Sequence, residues 1–221
     1  MTKLAFMSSG IPPWICGIAD HSGHLIRSLR DQMDIVALAG YGAYAEIPGV
    51  QIRCCYDPLR PRTVLAVAGE IAELRPDWLF IQYNPLSFGP RGVNLYLPLM
   101  LMRARRLVPD VSVSVMVHEL SIWATTWKQR VLVAVQYAQL RAIVRQAAAV
   151  FVPVDSWRPA LRRYSHVEPR WLPVGSNVPL ADVGYMEALR RAGLVERQTA
   201  LGLFGRTEHP GLAEHVAERR S

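Results

Sequence analysis

The sequence predicts an α/β protein built on a mostly parallel sheet with helices on both faces. Short apolar runs alternate along the chain with longer amphipathic segments, which is the order that strands and helices take in such a sheet. The run 111–117 has valine at every second position and no charged residue, as expected of a strand buried on both faces. Together these patterns predict a Rossmann-like fold, in which ligands bind beyond the carboxyl ends of the strands.

The expected elements follow from the same patterns in chain order. Strands are predicted at about 3–7, 34–39, 50–55, 78–82, 111–117, 149–153 and 171–174. Helices are predicted at about 19–32, 61–74, 95–107, 128–148 and 157–164, since apolar residues recur there at helical spacing. Pro61 suits the first turn of its helix, and the segment 83–94 is rich in turn residues and is predicted to be a loop.

The character of the chain changes after Gly175. Residues 176–179 form a turn-rich cluster, and 184–198 has the pattern of a connector with a short helix. A fresh apolar strand is then expected at 200–204. We therefore predict a first domain over 1–175, a connector over 176–199 and the beginning of a second α/β domain over 200–221.

Composition narrows the class of protein. Apolar residues make up 51% of the 221 residues, enough to bury a core. No apolar run reaches the roughly eighteen residues of a membrane span, and the start of the sequence lacks a secretory signal, so a cytoplasmic location is expected.

The three cysteines have no zinc spacing, and His21 and His24 lack a third ligand nearby in sequence. We predict neither a metal site nor a cofactor.

Positive charge is concentrated in one part of the chain. Twelve basic and four acidic residues lie between Leu79 and Arg170, so this span carries +8 and the rest carries −1 of the net +7. Such a region either attracts anionic lipid, nucleic acid or phosphorylated ligands, or consists of solvated helix faces. Nucleic acid is the weakest of these options and is not a predicted partner, because the basic residues are not interleaved with exposed aromatic residues and no binding motif for it is present. A basic face is predicted from one of two groups: Arg103, Arg105 and Arg106, or Arg158, Arg162 and Arg163.

Polar candidates follow two of the predicted strands. His118 ends the valine-rich strand and is suited to donate to a phosphate or a sugar hydroxyl, or to act as a base, with Glu119 beside it. From the residues alone, a histidine that only caps the strand end is the favoured alternative. In the loop after the fourth strand, Tyr83, Asn84 and Ser87 suit stacking on a sugar and hydroxyl recognition, and a loop with its own turn bonds is an equal alternative.

A glycine-bearing segment follows the first strand. Gly17 stands at the start of a predicted helix, where a ligand can approach the backbone and an anion is favoured. The segment is not a G-x-G-x-x-G fingerprint, so a dinucleotide is not indicated. Trp14 and Trp123 fall in the loops of the predicted site and are candidates for ligand contact.

Five segments taken together resemble the N-terminal domain of family 4-like glycosyltransferases of the GT-B fold. The matching segments are 17–20 (Gly-Ile-Ala-Asp), 82–89 (Gln-Tyr-Asn-Pro-Leu-Ser-Phe-Gly), 117–120 (Val-His-Glu-Leu), 172–179 (Leu-Pro-Val-Gly-Ser-Asn-Val-Pro) and 201–205 (Leu-Gly-Leu-Phe-Gly). Their order and spacing agree with the family from near the start of the chain to its end.

The resemblance implies an enzyme that transfers a hexosyl group from a nucleotide-sugar to an acceptor. It places the acceptor on this domain, with His118 as the catalytic residue of the cleft and Gly17, Tyr83, Asn84, Ser87 and Glu119 as acceptor-binding residues. A sugar or lipid-linked acceptor is implied. The predicted basic face is expected to make peripheral contact with anionic membrane at its inner face.

One departure from the family is informative. The family binds the donor with its C-terminal domain, using two glutamates separated by eight positions, and no two glutamates of this sequence have that separation. The sequence therefore predicts no donor-binding residues here and a chain that is inactive alone, because of truncation, a split gene or a donor site that a partner supplies. The donor is expected to bind only with a complete C-terminal domain. The alternative is a non-catalytic module that binds an acceptor or a partner.

Overall fold

A seven-stranded parallel sheet organises the described part of the chain. The computed structural model describes residues 1–42, 44–121, 124–175, 183–191 and 193. The strand order is β3-β2-β1-β4-β5-β6-β7, and every neighbouring pair is parallel. The strands are β1 (Thr2–Ser8), β2 (Met33–Gly40), β3 (Gln51–Tyr56), β4 (Trp78–Tyr83), β5 (Ser112–Val117), β6 (Ala149–Val152) and β7 (Arg170–Trp171).

Helices cover both faces of this sheet. They are α1 (Gly17–Leu29), α2 (Val67–Leu74), α3 (Tyr96–Leu107), α4 (Trp127–Val144) and α5 (Arg158–Arg162). Ile26 of α1 packs with Leu4 and Phe6 of β1 on one face. Helices α2 to α5 pack on the other face, where Ala5 and Met7 of β1 belong to the larger core. The predicted fold class, a mostly parallel Rossmann-like sheet between helices, is confirmed.

Strand β5 shows why the valine pattern was informative. Val113, Val115 and Val117 point into the larger core and are almost completely buried. The alternate residues Ser114 and Met116 are also buried. A strand covered on both faces has no position for a charged side chain, because an unpaired charge there would cost several kcal/mol. The prediction of a strand buried on both faces is confirmed, although the middle strand of the sheet is β4.

Two predicted helices differ from the structure in their extent. The segment expected as one helix from 61 begins with a 3-10 turn, Pro61–Ala66, and only Val67–Leu74 is α-helical. Helix α4 ends at Val144 rather than near 148, because the amides of Gln146 and Ala147 bond three residues back, to Ile143 and Val144. This tighter i→i+3 pattern is common at helix ends.

The chain divides into two compact units, Met1–Asn177 and Val178–Ser221. In the described residues of the second unit, helix α6 (Tyr185–Arg191) carries Glu187, which forms ion pairs with Arg190 and Arg191. The predicted strand at 200–204 lies outside the described residues, so the predicted domain limits stay predictions. Within the described ranges, no helix is both long enough and apolar enough to cross a membrane.

Candidate functional site

The strand order changes direction at β1, and this defines the region where a ligand is expected. Strand β2 lies on one side of β1 and β4 on the other. The connection that leaves the carboxyl end of β1 therefore runs in one direction along the sheet, and the connection that leaves β4 runs in the opposite direction. In open parallel sheets, ligands bind in the crevice at this point. Gln82 stands near the carboxyl end of β4, and His118 follows the last residue of β5.

Gln82 and His118 are joined across β4 and β5. The His118 amide donates to the carbonyl oxygen of Tyr83 at 2.8 Å, so His118 continues the pairing of the two strands. This backbone bond fixes the side chain next to Gln82, whose Oε1 accepts a hydrogen bond from His118 Nε2. Gln82 is fully buried, and a buried amide is held in place by such bonds.

His21 of α1 completes a three-residue group. Gln82 Nε2 donates to His21 Nδ1 at 3.3 Å, and the two imidazole rings meet edge to face with their centroids 5.3 Å apart. We call His21, Gln82 and His118 the imidazole–amide cluster. Since His118 donates through Nε2 and His21 accepts at Nδ1, both neutral rings carry their proton on Nε2. The lone pair of neutral His118 is therefore on Nδ1.

Burial keeps both rings of the cluster uncharged near neutral pH. Desolvation, reinforced by repulsion from His21, lowers the pKa of His118 from 6.5 to about 4. Desolvation also lowers the pKa of His21, and repulsion from His24 adds to this. A base with a pKa near 4 holds almost no proton at pH 7. His118 is thus suited to orient a hydroxyl group, and poorly suited to store its proton.

The loop after β1 holds α1 and therefore His21 in place. Ser8 Oγ donates to the Gly10 carbonyl at 2.7 Å and lies 3.0 Å from Ser22 Oγ of α1, with both hydroxyls buried. A Cβ on Gly23 would lie 2.8 Å from Pro12 Cγ. Only a glycine allows this approach of loop and helix. The packing of this loop therefore sets the distance between His21 and Gln82.

Gly17 is the first residue of α1 and is exposed. The N-cap is Cys16, whose Sγ accepts from the Ala19 amide at 3.3 Å. Apart from the chain neighbours of Gly17 and the backbone of its own helix, no described atom lies within 4 Å of the place a Cβ on Gly17 would take. The backbone at Gly17 is accordingly open to a ligand, and its acceptor-binding role stays a prediction.

The residues predicted in the loop after β4 point into the protein. Tyr83 is fully buried, and its hydroxyl accepts from Gln139 Nε2 at 3.0 Å. Asn84 Oδ1 caps the following 3-10 turn by accepting from the Leu86 amide at 2.8 Å, and Ser87 is half-buried in that turn. This placement gives Tyr83 and Asn84 structural contacts, so acceptor binding by Tyr83, Asn84 and Ser87 stays a prediction that burial does not favour.

Glu119 is exposed directly after His118, and its predicted acceptor contact also stays a prediction.

Two members of the cluster were missed as site residues. His21 was considered only as half of a metal pair, and Gln82 only as part of a matching segment. The available signal was position, since Gln82 is the last residue of a predicted strand and a glutamine is rarely buried without a partner.

A second concavity lies beyond the carboxyl end of β2. It has a volume of about 530 Å³ and is lined in part by Gly42, Tyr44, Glu46, Ile52 and Cys54. Trp14, half exposed, approaches Gly42 closely, since a Cβ there would lie 3.3 Å from Trp14 Nε1. Trp123 lies outside the described residues. The described ranges contain no group of three or more side chains able to hold a metal ion.

The two predicted groups of arginines differ in the structure. Arg158 pairs with Asp155 at 3.1 Å and with Glu168 at 3.0 Å, and Arg162 also pairs with Glu168. These carboxylates offset much of the charge of that group. On α3, Arg103, Arg105 and Arg106 are exposed, and no ion pair involves them within the described residues. The net basic face therefore lies on α3.

The fold and the position of the cluster define a Rossmann-like α/β protein with a polar site at the switch point of its sheet. No protein-family model and no curated protein matches the sequence. An alpha-glucosyltransferase solved with UDP and DNA is similar at 13% identity and a TM-score of 0.46, over 80% of this chain and 43% of its own. A transferase of Siraitia grosvenorii solved with UDP is similar at 11% identity and a TM-score of 0.46, over 86% and 55%.

A short chain dehydrogenase family protein of Francisella tularensis is also similar, at 8% identity and a TM-score of 0.43, over 88% of this chain and 78% of its own. The chain spans less than half the length of the alpha-glucosyltransferase chains, 37% in one complex and 43% in another.

Proposed function

We propose that this chain is the acceptor-side half of a glycosyltransferase that moves a hexosyl group from a nucleotide-sugar to an acceptor hydroxyl. The observation that carries the proposal is the imidazole–amide cluster, which holds a neutral histidine of fixed tautomer at the carboxyl edge of the sheet. The segments around Gln82 and His118 are also two of those that resemble the glycosyltransferase family.

His118 orients the acceptor in this proposal. Its neutral ring has an acceptor nitrogen, Nδ1, suited to the O–H of a sugar, while Nε2 is occupied by Gln82. Positioning of the attacking hydroxyl lowers the barrier because it removes the entropy of alignment from the reaction step. The pKa of His118, near 4, makes it a positioning group for the hydroxyl hydrogen rather than a base that keeps the proton.

The transfer itself needs a donor held opposite the acceptor. The acceptor oxygen forms a bond to the anomeric carbon, and the bond from that carbon to the diphosphate breaks with its electron pair on the departing nucleoside diphosphate. The hydroxyl proton is released with that product. Stabilising the diphosphate requires charges and donors already in place, and the glutamate pair that the family uses is absent from this sequence.

We therefore infer that a C-terminal domain supplies the nucleotide-sugar site, with this chain contributing residues 1–175 as the acceptor domain. The acceptor in this proposal is a sugar or a lipid-linked sugar, and the protein works on the cytoplasmic side, in peripheral contact with the inner membrane face. The exposed backbone at Gly17 and the concavity near Trp14 are the surfaces proposed to receive the acceptor.

Acceptor binding tests this proposal without the donor. Saturation-transfer NMR with a panel of free and lipid-linked saccharides is expected to detect binding by the wild-type chain. His118→Ala and Gln82→Ala should weaken the signal of the bound saccharide, and Gln32→Ala, an exposed site in the turn after α1, should not. Equal binding by wild type and His118→Ala would contradict the acceptor role of the cluster.

A further inference from the structure

Helix α3 is apolar on the face that points away from the sheet as well as on the face that packs against it. Its inner face buries Leu97, Leu101 and Ala104 in the core. On the outer side, Leu95, Leu99, Met102 and Arg106 are spaced at i, i+4, i+7 and i+11, so they form one stripe along the helix. Leu95 is 56% exposed, Leu99 49% and Met102 45%.

Helix α4 repeats this arrangement beside α3. Trp127 and Val131 stand on its outer side, 69% and 57% exposed, and the stripe continues through Ala134 and Ala138 to Arg141. The inner side of α4 buries Leu140, Ile143 and Val144 in the same core as α3.

The C-terminal part of α4 and the residues that follow it contact α3. Gln146 Nε2 donates to the Pro98 carbonyl, and Arg105 donates to the Gln146 carbonyl, both at 3.3 Å. Near the other end, the amide of Asn94 donates to Gln139 Oε1 at 2.6 Å. The two helices are therefore neighbours on the same face of the sheet, and we call their outer sides together the α3–α4 surface.

The charge of the α3–α4 surface has one sign. Neither Tyr96–Leu107 nor Trp127–Val144 contains an aspartate or a glutamate, whereas Arg103, Arg105 and Arg106 lie on α3. On α4, Lys128, Arg130 and Arg141 are exposed around the apolar stripe. Exposed leucine, methionine and tryptophan lie here next to arginine and lysine that have no carboxylate partner among the described residues. This combination suits the boundary between anionic lipid headgroups and acyl chains.

We propose that the α3–α4 surface docks on an anionic lipid bilayer, with the apolar stripes entering the headgroup boundary and the arginines bound to lipid phosphates. Charge complementarity selects this occupant, because two neighbouring helices without carboxylates match an anionic membrane, and their apolar stripes gain nothing from a small soluble anion. The docking proposal depends on the proposed function only in the assumption that the acceptor is linked to a lipid. Vesicle binding is measured without sugar transfer, so the two proposals fail separately.

Vesicle co-sedimentation of the full chain tests the docking. Binding is expected to be at least about tenfold tighter to vesicles of phosphatidylcholine with about 30% phosphatidylglycerol than to pure phosphatidylcholine. It should weaken as salt shortens the Debye length. Arg103→Glu with Arg106→Glu should reduce binding to the anionic vesicles about tenfold or more. The matched control is Arg27→Glu, an exposed arginine of α1 on the opposite face of the sheet, which should bind as wild type does.

The apolar part of the surface has its own test. Leu99→Gln with Met102→Gln should lower the affinity for anionic vesicles several-fold, whereas Leu59→Gln, an 80% exposed leucine outside the two helices, should not. Quenching by brominated lipid should include a component that is lost in Trp127→Phe. Circular dichroism confirms that each variant is folded. Equal binding to neutral and anionic vesicles would overturn the proposal. The same holds if the variant with Arg103→Glu and Arg106→Glu binds as tightly as Arg27→Glu. Binding to an acidic protein without any binding to vesicles would also overturn it.

Discussion

Gln82 and His118 lie 36 residues apart in the sequence and are hydrogen bonded across the neighbouring strands β4 and β5. Because this bond uses Oε1 of Gln82, Nε2 of the same amide can donate to His21 of α1. One buried amide thus connects the sheet to the first helix and fixes the tautomers of two imidazoles. The cluster has no acidic member, which keeps both rings neutral and distinguishes it from a histidine–carboxylate pair.

Replacing the amide by a carboxylate should change the charge state of the cluster. In Gln82→Glu, a negative charge next to both rings favours their protonated forms, so the pKa of His118 should rise from about 4 by one to two units or more. The measurement is an NMR titration of the imidazole C–H resonances, with His118→Gln to assign the signal. Gln32→Glu, at an exposed position, should leave the titration unchanged. A wild-type His118 that titrates near 6.5 would contradict the burial of a neutral ring.

Stability should fall on acidification because of His118. Its pKa is lower in the folded protein, about 4, than the ordinary 6.5, so the unfolded chain binds more protons between these two values. Stability is therefore full above pH 6.5 and is lost as the pH falls towards 4, by up to about 3 kcal/mol for this group. Urea unfolding at several pH values measures the loss. His118→Gln should show a smaller loss over that window, and an identical loss in both proteins would contradict the assignment.

Two glycines near the cluster should respond differently to alanine. In Gly23→Ala, the new Cβ would lie 2.8 Å from Pro12 Cγ, and the strain should outweigh the helix propensity gained, with a net loss of about 1–2 kcal/mol. In Gly17→Ala, no described atom beyond the chain neighbours and the backbone of the same helix lies within 4 Å of the new Cβ, so stability should change by less than about 0.5 kcal/mol. Thermal or urea unfolding gives both values. A Gly23→Ala protein at least as stable as Gly17→Ala would show that the loop adapts at little cost.

The fold could be predicted because its signals are local. Alternation of apolar runs, the uncharged valine strand and turn-rich segments each act over a few residues, and the parallel sheet follows from their order. Where prediction failed, the cause was a detail of hydrogen bonding. The 3-10 turn at Pro61–Ala66 and the early end of α4 at Val144 both replace i→i+4 bonds by i→i+3 bonds, and the two patterns have similar sequences.

The cluster was only partly predictable, because it depends on contacts between distant segments. His118 was found from its position after a strand. The direction of a side chain at a strand end cannot be read from its type, so Tyr83 was expected in the site although its ring stacks on Phe88 in the core, with centroids 6.3 Å apart. His21 becomes a site residue only through its contact with Gln82, 61 residues later in the sequence. No local sequence pattern indicates that contact.

The most direct test of the central claim is the release of nucleoside diphosphate from a panel of nucleotide-sugars in the presence of acceptor. The 221-residue chain alone should release no more than its His118→Ala variant, because the donor-binding glutamate pair is absent from the sequence. Together with a glycosyltransferase C-terminal domain that binds the donor, the wild-type chain should release nucleoside diphosphate and transfer the sugar. In that mixture His118→Ala should be at least about tenfold slower, as expected for the loss of a group that positions the nucleophile. Turnover by the chain alone well above His118→Ala, or equal turnover of wild type and His118→Ala in the mixture, would contradict the account.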